Sequence, residues 1–338
     1  MERKIICFGV RDYEIPYFEE LGKKYNYDLV LKPQFLNTEN YKDAIGYEIV
    51  MVRGNCVVNK EAMKDLARHG LKYYLTRTAG YNHVNIEACK AYGIECAFVP
   101  GYSPNAVAEL AVTLSMMLLR HTAYACDMTH RLQFKVTNTM FSKEIRGCKV
   151  GILGCGRIGT SSAKLFKGLG AEVLGYDIYQ SDYAKEYVKF VSLDELLKES
   201  DIVVIHMAYF KDKNDNFISK NEINKMKDGA ILVNVARGEL LNLKDALDAI
   251  KSNKLGGLGL DVIANEKSLF FHNFSNLSEV GNPLYKELIE LYPNVLVTPH
   301  IGSSTDKALI DMIEISLKNM DEYIETGHCK NSLIKKQN

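Results

Sequence analysis

The chain has 338 residues, of which 47% are hydrophobic and 25% charged, and its 42 basic residues balance its 42 acidic residues. This length predicts two domains, with enough apolar residues to fill a core in each. Because the charge is balanced, we predict neither a nucleic acid nor an anionic membrane as a partner.

No charged start is followed by an apolar stretch of the kind found in a secretory signal peptide, and no apolar run approaches the length of about 18 residues that suggests a membrane span. The chain contains eight cysteines, at positions 7, 56, 89, 96, 126, 148, 155 and 329. They form no CxxC pair and have no metal-ligand spacing with histidine, so we predict reduced thiols, no metal site and a cytoplasmic protein.

The first third of the chain alternates apolar runs with helical segments. Lys4–Gly9, Tyr47–Val52 and Lys72–Thr76 have strand character. This alternation predicts a βαβ sheet near residues 1–100, which the turn-rich Pro100–Pro104 ends.

A long helix is predicted at residues 105–120, where apolar residues cover almost the whole circumference. Such a helix is buried, so we predict that the chain forms a homodimer through this region.

A second βαβ series follows Gly147. Its predicted strands are Val150–Leu153, Glu172–Tyr176, Ile202–His206, Ala230–Asn234, Gly257–Asp261 and Val295–Thr298. Six such runs indicate a doubly wound parallel sheet. A final helix is predicted at Asp311–Thr326, returning to the first domain.

The segment Val150–Gly159 carries a GxGxxG motif between a predicted strand and a predicted helix. In a dinucleotide site, the three glycines serve a tight turn, a close approach of the backbone to the pyrophosphate, and close helix–strand packing. The motif therefore predicts a dinucleotide site at Gly154, Gly156 and Gly159, the alternative being a structural glycine turn.

Asp177 ends the next predicted strand, 18 residues after Gly159. A carboxylate there can accept hydrogen bonds from ribose hydroxyls and would repel a 2′-phosphate, so we predict NAD rather than NADP. The alternative is a helix-capping Asp.

Three further charged or titratable residues lie at or just after predicted strand ends, where ligands bind in open α/β sheets. They are Arg237, Glu266 and His300. A guanidinium can hold an α-carboxylate, a His can supply a proton, and a carboxylate can orient that His and keep it protonated. This set predicts hydride transfer to a 2-oxo acid; a surface ion pair and a loop His are the alternatives.

Five sequence blocks resemble the D-isomer-specific 2-hydroxyacid dehydrogenase family. They are Tyr102–Glu109, Gly154–Gly159, Val233–Gly238, Gly257–Asp261 and Thr298–Gly302. The resemblance implies an α/β fold of two Rossmann-like domains with doubly wound parallel sheets, the NAD-binding domain (102–299) being inserted into a flavodoxin-like substrate and catalytic domain (1–101 plus 300–338).

The resemblance also implies roles for individual residues. Arg237, Glu266 and His300 match the catalytic residues, while Ala79, Gly80 and Tyr102 match substrate-binding positions. The implied cofactor contacts are Gly154, Gly156, Arg157, Ile158, Gly159, Asp177, Met207, Ala208, Val235, Ala236 and Asp261. The implied product is the (R)-2-hydroxy acid.

Two positions depart from the family pattern. The family usually has His-x-Pro where this chain has His206-Met207-Ala208, which loosens the loop expected beside the adenosine. Ser304 stands where close relatives often carry an aromatic residue, which enlarges or polarises the expected substrate pocket.

Arg53 follows a predicted strand within Val52–Cys56. This segment is similar to that of (R)-2-hydroxyglutarate dehydrogenases, and a second Arg could pair with the distal carboxylate of 2-oxoglutarate. We predict 2-oxoglutarate as the substrate, with pyruvate and branched or aromatic 2-oxo acids as alternatives. The other interpretation of Arg53 is a structural role.

An NAD-sensing corepressor, which binds partners instead of turning over a substrate, is the alternative function from another class of protein. The loop 268–282 either shapes the site entrance or covers the surface.

Overall fold

The computed structural model describes residues 3–334. The chain folds into two compact units, the first comprising Met1–Ser103 and Ser304–Asn338 and the second Pro104–Ser303. The predicted division differs from this one at both boundaries, since it placed residues 102–103 in the second unit and residues 300–303, including His300, in the first. The His300 N–H donates to the Asp261 carbonyl, and the Gly302 N–H donates to the Asp261 carboxylate, which keeps this segment on the second sheet.

The chain starts in the first unit. Its elements there are β1 (Arg3–Phe8), α1 (Ile15–Tyr25), β2 (Tyr27–Lys32), β3 (Ile49–Val52), α2 (Lys60–Arg68), β4 (Tyr73–Thr76), α3 (Ile86–Tyr92) and β5 (Glu95–Ala97).

The second unit follows. Its elements are α4 (Pro104–Leu119), α5 (Thr122–His130), β6 (Lys149–Leu153), α6 (Arg157–Gly168), β7 (Glu172–Tyr176), α7 (Asp182–Lys185), β8 (Lys189–Phe190), α8 (Leu193–Glu199), β9 (Ile202–Ile205), α9 (Lys220–Lys225), β10 (Ala230–Asn234), α10 (Leu243–Lys251), β11 (Leu255–Leu260), α11 (Pro283–Glu290) and β12 (Val295–Val297). The chain then returns to the first unit as α12 (Asp306–Thr326).

The first unit is built on a five-stranded parallel sheet in the order β2-β1-β3-β4-β5. This is the flavodoxin-like doubly wound order, with apolar clusters on both faces of the sheet. The strand order reverses between β1 and β3, so the carboxyl ends of these two strands mark the crevice where such sheets bind ligands. Gly9 follows β1 there, and Arg53 follows β3.

The second unit is built on a seven-stranded parallel sheet in the order β12-β11-β10-β9-β6-β7-β8. The strand order reverses between β6 and β9, after which come Gly154 and His206. The predicted α/β class with two doubly wound parallel sheets is therefore confirmed.

Helix α4 packs directly onto β11 because that strand carries glycines. A Cβ on Gly257 would lie 3.0 Å from a Leu118 methyl, and one on Gly259 would lie 3.2 Å from Leu114 Cβ. The predicted burial of this helix thus occurs within its own unit, and its exposed residues are polar: Asn105, Glu109 and Thr113.

Three strands were not predicted from the sequence: β2, β5 and β8. The last helix also begins five residues earlier than predicted, where the Thr305 side chain accepts the Ala308 N–H as an N-cap. Within residues 3–334, no helix has the length and apolar character needed to span a membrane.

Candidate active site

The glycine-rich loop joins β6 to α6 at the switch point of the second sheet. Gly154 has a φ of +91°, and a Cβ there would lie 2.7 Å from the Met207 nitrogen. A Cβ on Gly159 would lie 1.9 Å from the Gly154 oxygen, so this glycine lets helix and strand approach each other. At Gly156 a Cβ would meet nothing within 4 Å, which leaves the helix N-terminus open to a ligand.

A cavity of about 870 Å³ lies beside this loop and has a mainly apolar lining. Six of the predicted cofactor residues line it: Gly154, Gly156, Arg157, Asp177, Met207 and Ala208. It is also lined by residues that were not predicted as cofactor contacts, namely Pro104, Cys155, Thr160, Ser161, Tyr176, Ile178, Tyr179, Ser181, Tyr183, His206, Phe210, Asn214 and Phe217. Its volume and the open Gly156 suit a dinucleotide lying along the helix N-terminus.

Exposed aromatic side chains stand at the same cavity. Tyr179 is 76% exposed, Tyr183 58% and Phe210 57%. Their faces can stack on a planar base. Of these three residues, only Tyr179 could have been predicted from the sequence to line the cofactor site, because it lies two residues after the strand-end acid Asp177.

Asp177 folds back onto the glycine loop. Its carboxylate accepts the Cys155 N–H at 2.6 Å and the Tyr179 N–H at 2.9 Å. These bonds hold the carboxylate beside the loop, where its remaining lone pairs can accept from ribose hydroxyls.

His206 follows β9 at the other side of the switch point. Its Nε2 is enclosed and has no hydrogen-bond partner among the described residues. Burial lowers the pKa of this imidazole to about 3, so it is neutral at physiological pH. In the loop that follows, Asn214 accepts the Phe210 N–H and donates to the Ala208 carbonyl, which orders the segment that lacks the expected Pro.

Five predicted cofactor residues do not line this cavity: Ile158, Gly159, Val235, Ala236 and Asp261. Gly159 lies under the helix. Asp261 is 1% exposed, and its carboxylate accepts the Thr298 hydroxyl and the N–H groups of Ile301 and Gly302. Burial raises the pKa of Asp261. The hydrogen bonds of its carboxylate are with the loop that carries His300.

Arg237 follows β10 on a loop pinned by a buried asparagine. Asn234 accepts the Ala236 N–H and donates to the Arg237 carbonyl, so the loop is held on both sides. A Cβ on Gly238 would lie 1.9 Å from the Ile263 backbone, which places this loop against the one leading to Glu266. The Arg237 side chain is exposed, and its Nη1 donates to the Ala236 carbonyl.

The structure brings Glu266 and His300 together. Glu266 Oε1 lies 2.6 Å from His300 Nδ1, with exposed side-chain fractions of 24% and 39%. The carboxylate therefore fixes a proton on Nδ1 and leaves Nε2 as the ring nitrogen available to a ligand.

His300 holds an unusual backbone conformation, with a φ of +54°. Its N–H donates to the Asp261 carbonyl at 3.0 Å, while the Asp261 carboxylate ties down the residues on either side. A strained residue held by several bonds is typical of a functional site. No cluster of His, Cys, Asp and Glu in residues 3–334 is suited to bind a metal ion.

In the first unit, Arg53 belongs to a buried charged cluster at the sheet's switch point. Arg53 Nη1 lies 2.7 Å from Glu14 Oε1, and Arg77 Nη2 lies 3.1 Å from Glu14 Oε2. Glu14 is fully buried and Arg77 is 1% exposed, whereas the Arg53 side chain is 17% exposed. Burial and the charge of Arg77 lower the pKa of Arg53, and Glu14 opposes that shift. The roles of Glu14 and Arg77 were not predicted from the sequence.

The predicted carboxylate loop lies after β4, next to this cluster. Among the described residues, the N–H groups of Ala79 and Gly80 donate to no protein acceptor. Unpaired N–H groups in succession can receive an anion. Tyr102 lies half-buried in the segment before α4.

The loop 268–282 follows a short 3-10 turn at Glu266–Ser268 and contains a second one at Leu277–Glu279. Phe270 is 4% exposed and packs in the core of the second unit, while Phe271 is 50% exposed with a φ of +69°. At least this part of the loop covers the core.

Comparison with known proteins identifies the family. The sequence profile described as D-isomer specific 2-hydroxyacid dehydrogenase, NAD binding domain, matches residues 112–302. An aromatic 2-oxoacid reductase from Clostridium sporogenes is 37% identical over 332 residues, covering 98% of this chain and 99% of that protein.

Two solved structures agree with this result. A D-lactate dehydrogenase from Treponema pallidum superposes with a TM-score of 0.90 at 33% identity, covering 98% of this chain and 100% of that one. The NAD-complexed D-isomer specific 2-hydroxyacid dehydrogenase from Lactobacillus delbrueckii ssp. bulgaricus gives 0.87 at 31% identity, with the same coverage. The chain belongs to the D-isomer specific 2-hydroxyacid dehydrogenases, oxidoreductases that use NAD.

Proposed function

We propose that the chain reversibly reduces a 2-oxo acid to the (R)-2-hydroxy acid, with His300, Glu266 and Arg237 as its catalytic residues. The observation that carries these assignments is the 2.6 Å contact between Glu266 and His300 Nδ1. A His oriented by a carboxylate is suited to general acid–base work.

His300 supplies the proton. NADH, when bound, supplies the hydride to the oxo carbon, and the carbonyl oxygen takes a proton from His300 Nε2. In the reverse direction the same nitrogen accepts the hydroxyl proton. Glu266 stabilises the charged imidazole and fixes its orientation.

Arg237 holds the reacting end of the substrate. The residue is exposed, and the one hydrogen bond of its guanidinium within residues 3–334 is to the Ala236 carbonyl, so most of its donors are available. A planar guanidinium binds a carboxylate bidentately and can polarise the neighbouring carbonyl oxygen.

The cofactor's diphosphate is assigned to the Gly154–Gly159 loop and its ribose to Asp177, as the open position at Gly156 supports. The substrate's α-carboxylate is assigned to the N–H groups of Ala79 and Gly80, which donate to no acceptor in residues 3–334, with Tyr102 beside it.

For the substrate we propose 2-oxoglutarate, with Arg53 as the anchor of its distal carboxylate. One carboxylate, Glu14, faces two guanidiniums, so the cluster retains a net charge of about +1. Arg53 is the partly exposed member of this cluster, and its contact with Glu14 is made by Nη1. Among the described residues, Nε and Nη2 of Arg53 have no partner, so they can donate to a ligand at the switch point of the sheet. A Cβ on Gly54 would lie 3.8 Å from Thr78 Cγ2, so the Arg53 segment borders the carboxylate loop.

An aromatic 2-oxo acid is the second candidate, because a relative of 37% identity is an aromatic 2-oxoacid reductase. Pyruvate is a third, because a structural neighbour is a D-lactate dehydrogenase. With either substrate, Arg53 would serve only to complete the ion network around Glu14.

The choice of substrate is tested by measuring NADH oxidation with 2-oxoglutarate, phenylpyruvate, 2-oxoisocaproate and pyruvate. The proteins compared are the wild type, Arg53→Met and the control Arg68→Met, whose arginine lies exposed on α2. We expect 2-oxoglutarate to give the highest kcat/KM and to lose about 30-fold or more in Arg53→Met alone, the size of a lost charged contact. A preference for phenylpyruvate or pyruvate that Arg53→Met leaves intact would contradict the dicarboxylate assignment.

We further propose a homodimer. The exposed face of α4 is polar, but Leu132, Phe134, Val136 and Phe141 are each at least 72% exposed in the segment that follows α5. Exposed apolar residues so close in sequence favour a protein contact, so the expected interface includes this segment as well as the 105–120 region. Sedimentation of Phe134→Ser and Phe141→Ser should show weakened dimers, and a monomeric wild type would contradict the proposal.

A cytoplasmic location is proposed as well, since all eight cysteines are free thiols. Cell fractionation that followed the NADH-dependent activity would test it.

A further inference from the structure

A row of three side-chain hydrogen bonds lies behind the loop of residues 78–80. Thr78 Oγ1 lies 2.7 Å from the Gly80 carbonyl oxygen, and Thr76 Oγ1 lies 2.7 Å from Thr78 Oγ1. His83 Nε2 lies 2.8 Å from Thr76 Oγ1. Thr76 is 1% exposed, and the other two side chains are half-buried.

The direction of every bond in this row follows from the bond between Thr78 and the Gly80 carbonyl. A carbonyl oxygen cannot donate, so the Thr78 hydroxyl gives its only proton to Gly80. Thr78 Oγ1 must then accept from the Thr76 hydroxyl, and Thr76 Oγ1 must accept from His83. His83 therefore carries a proton on Nε2, because any other arrangement leaves two lone pairs facing each other at 2.7–2.8 Å.

This row fixes one side of the loop, and a backbone bond fixes the other. The Thr78 hydroxyl holds the peptide plane that follows Gly80. The Val99 N–H donates to the Thr78 carbonyl at 3.1 Å and holds the plane that precedes Ala79 Cα. The N–H groups of Ala79 and Gly80 lie between these two fixed points.

We propose that His83, Thr76 and Thr78 form a positioning relay that presents the Ala79 and Gly80 N–H groups to the α-carboxylate of the substrate. The proposal rests on the proposed function, which assigns that carboxylate to this loop. The three side chains are positioning residues, since they act through the Gly80 peptide. Bonds that point one way along a row strengthen one another, so a donor at His83 stiffens the far end.

The main test is Thr78→Val, which removes the hydroxyl at nearly constant shape. We expect the KM for the 2-oxo acid to rise about tenfold, the effect of losing about one oriented hydrogen bond, while kcat and the Kd for NADH stay within about twofold. Oxamate, a non-reacting analogue with the same carboxylate, should lose inhibition by the same factor. Thr78→Ser restores the hydroxyl and should restore both values.

Thr326→Val is the matched control, because its hydroxyl also donates to a carbonyl at 2.7 Å in the first unit but on the surface of α12. The thermal unfolding midpoint of each variant separates a loss of positioning from a loss of folding. An unchanged KM in Thr78→Val, or a Thr78→Ser variant as impaired as Thr78→Val, overturns the relay. A wild type that reduces no 2-oxo acid overturns the proposed function instead.

The proton on His83 can be observed directly. Two-bond ¹H–¹⁵N spectra distinguish the ring nitrogens, and we expect Nε2 of His83 to be protonated. A neutral ring with a bare Nε2 would overturn the bond directions. His83→Gln can place an amide N–H where Nε2 lies and should stay near the wild-type KM, whereas His83→Phe should raise it about threefold. Equal KM values in the two variants would remove His83 from the relay.

Discussion

The two sheets make their switch points in opposite ways. In the second unit the switch point presents open backbone and a neutral side chain, because Gly156 has no side chain and the pKa of His206 is lowered by burial. In the first unit the same topological position holds Glu14 between two guanidiniums, those of Arg53 and Arg77. An open backbone suits a large ligand that brings its own charge, while a fixed charge suits the selection of a small anion.

The difference also determines where each unit is sensitive to mutation. Arg237 and His300 lie on loops whose backbones are held by Asn234 and Asp261, so these two side chains, which we propose to be catalytic, can change without disturbing a core. Glu14 is itself in a core, and changing it leaves two cations without their counter-ion.

The largest effect is expected for His300→Gln. Loss of the proton donor should lower kcat by about 1,000-fold, within the usual range for general acid–base groups. NADH binding, followed by its fluorescence, should persist, because His300 does not line the cavity beside the glycine loop. A kcat near the wild-type value would remove His300 from the chemistry.

Glu14→Gln should reveal the buried charge of the first unit. Removing one partner from a buried ion network typically costs about 3–5 kcal/mol, so urea unfolding should show a loss of that order. Glu39→Gln, on an exposed loop residue, is the control. A Glu14→Gln variant as stable as the wild type would contradict the expected cost of the unpaired charges.

Arg237→Met changes an exposed residue of the second unit. It should abolish activity with almost no change in the free energy of unfolding.

The sequence predicted the interior strands and the edge strand β12, and it missed β2, β5 and β8, which lie at the other three sheet edges. An edge strand has one neighbour and can be short or half-exposed: β8 has two residues, and most of β2 is partly exposed. Such strands do not give the continuous apolar runs that marked β6 and β9.

The candidate site divides in a similar way. The glycine motif, Asp177 and the strand-end residues are local signals, because each follows directly from a strand or a turn. Glu14 pairs with Arg53 across 39 residues and with Arg77 across 63, and no pattern in the sequence connects them. The Thr76–Thr78–Gly80 contacts are local, but threonines near a strand end are too common to predict a relay.

Two alanine substitutions in the glycine loop separate folding from cofactor binding. Gly154→Ala puts a Cβ against the Met207 backbone at a φ of +91° and should cost about 1–3 kcal/mol of stability. Gly156→Ala meets no protein atom within 4 Å, so the unfolding midpoint should hold while the Kd for NADH rises about tenfold. Equal NADH affinity in Gly156→Ala and the wild type would show that the cofactor does not approach this position.

The effect that is smallest at neutral pH, and that grows in acid, concerns the neutral His206. Its pKa falls from the usual 6.5 to about 3 in the folded protein, so between these values the unfolded state binds a proton that the folded state does not. Stability must therefore fall as the pH drops through this window, by up to about 1.4 kcal/mol per pH unit. His206→Gln cannot titrate and should have a flatter acid limb. Carboxylates contribute to both curves and cancel in their difference, measured by urea unfolding from about pH 6.5 to about pH 4.5 without NAD. Parallel curves would mean that His206 is solvated in the folded protein, and the contrast between this neutral side chain and the charged cluster around Glu14 would then be lost.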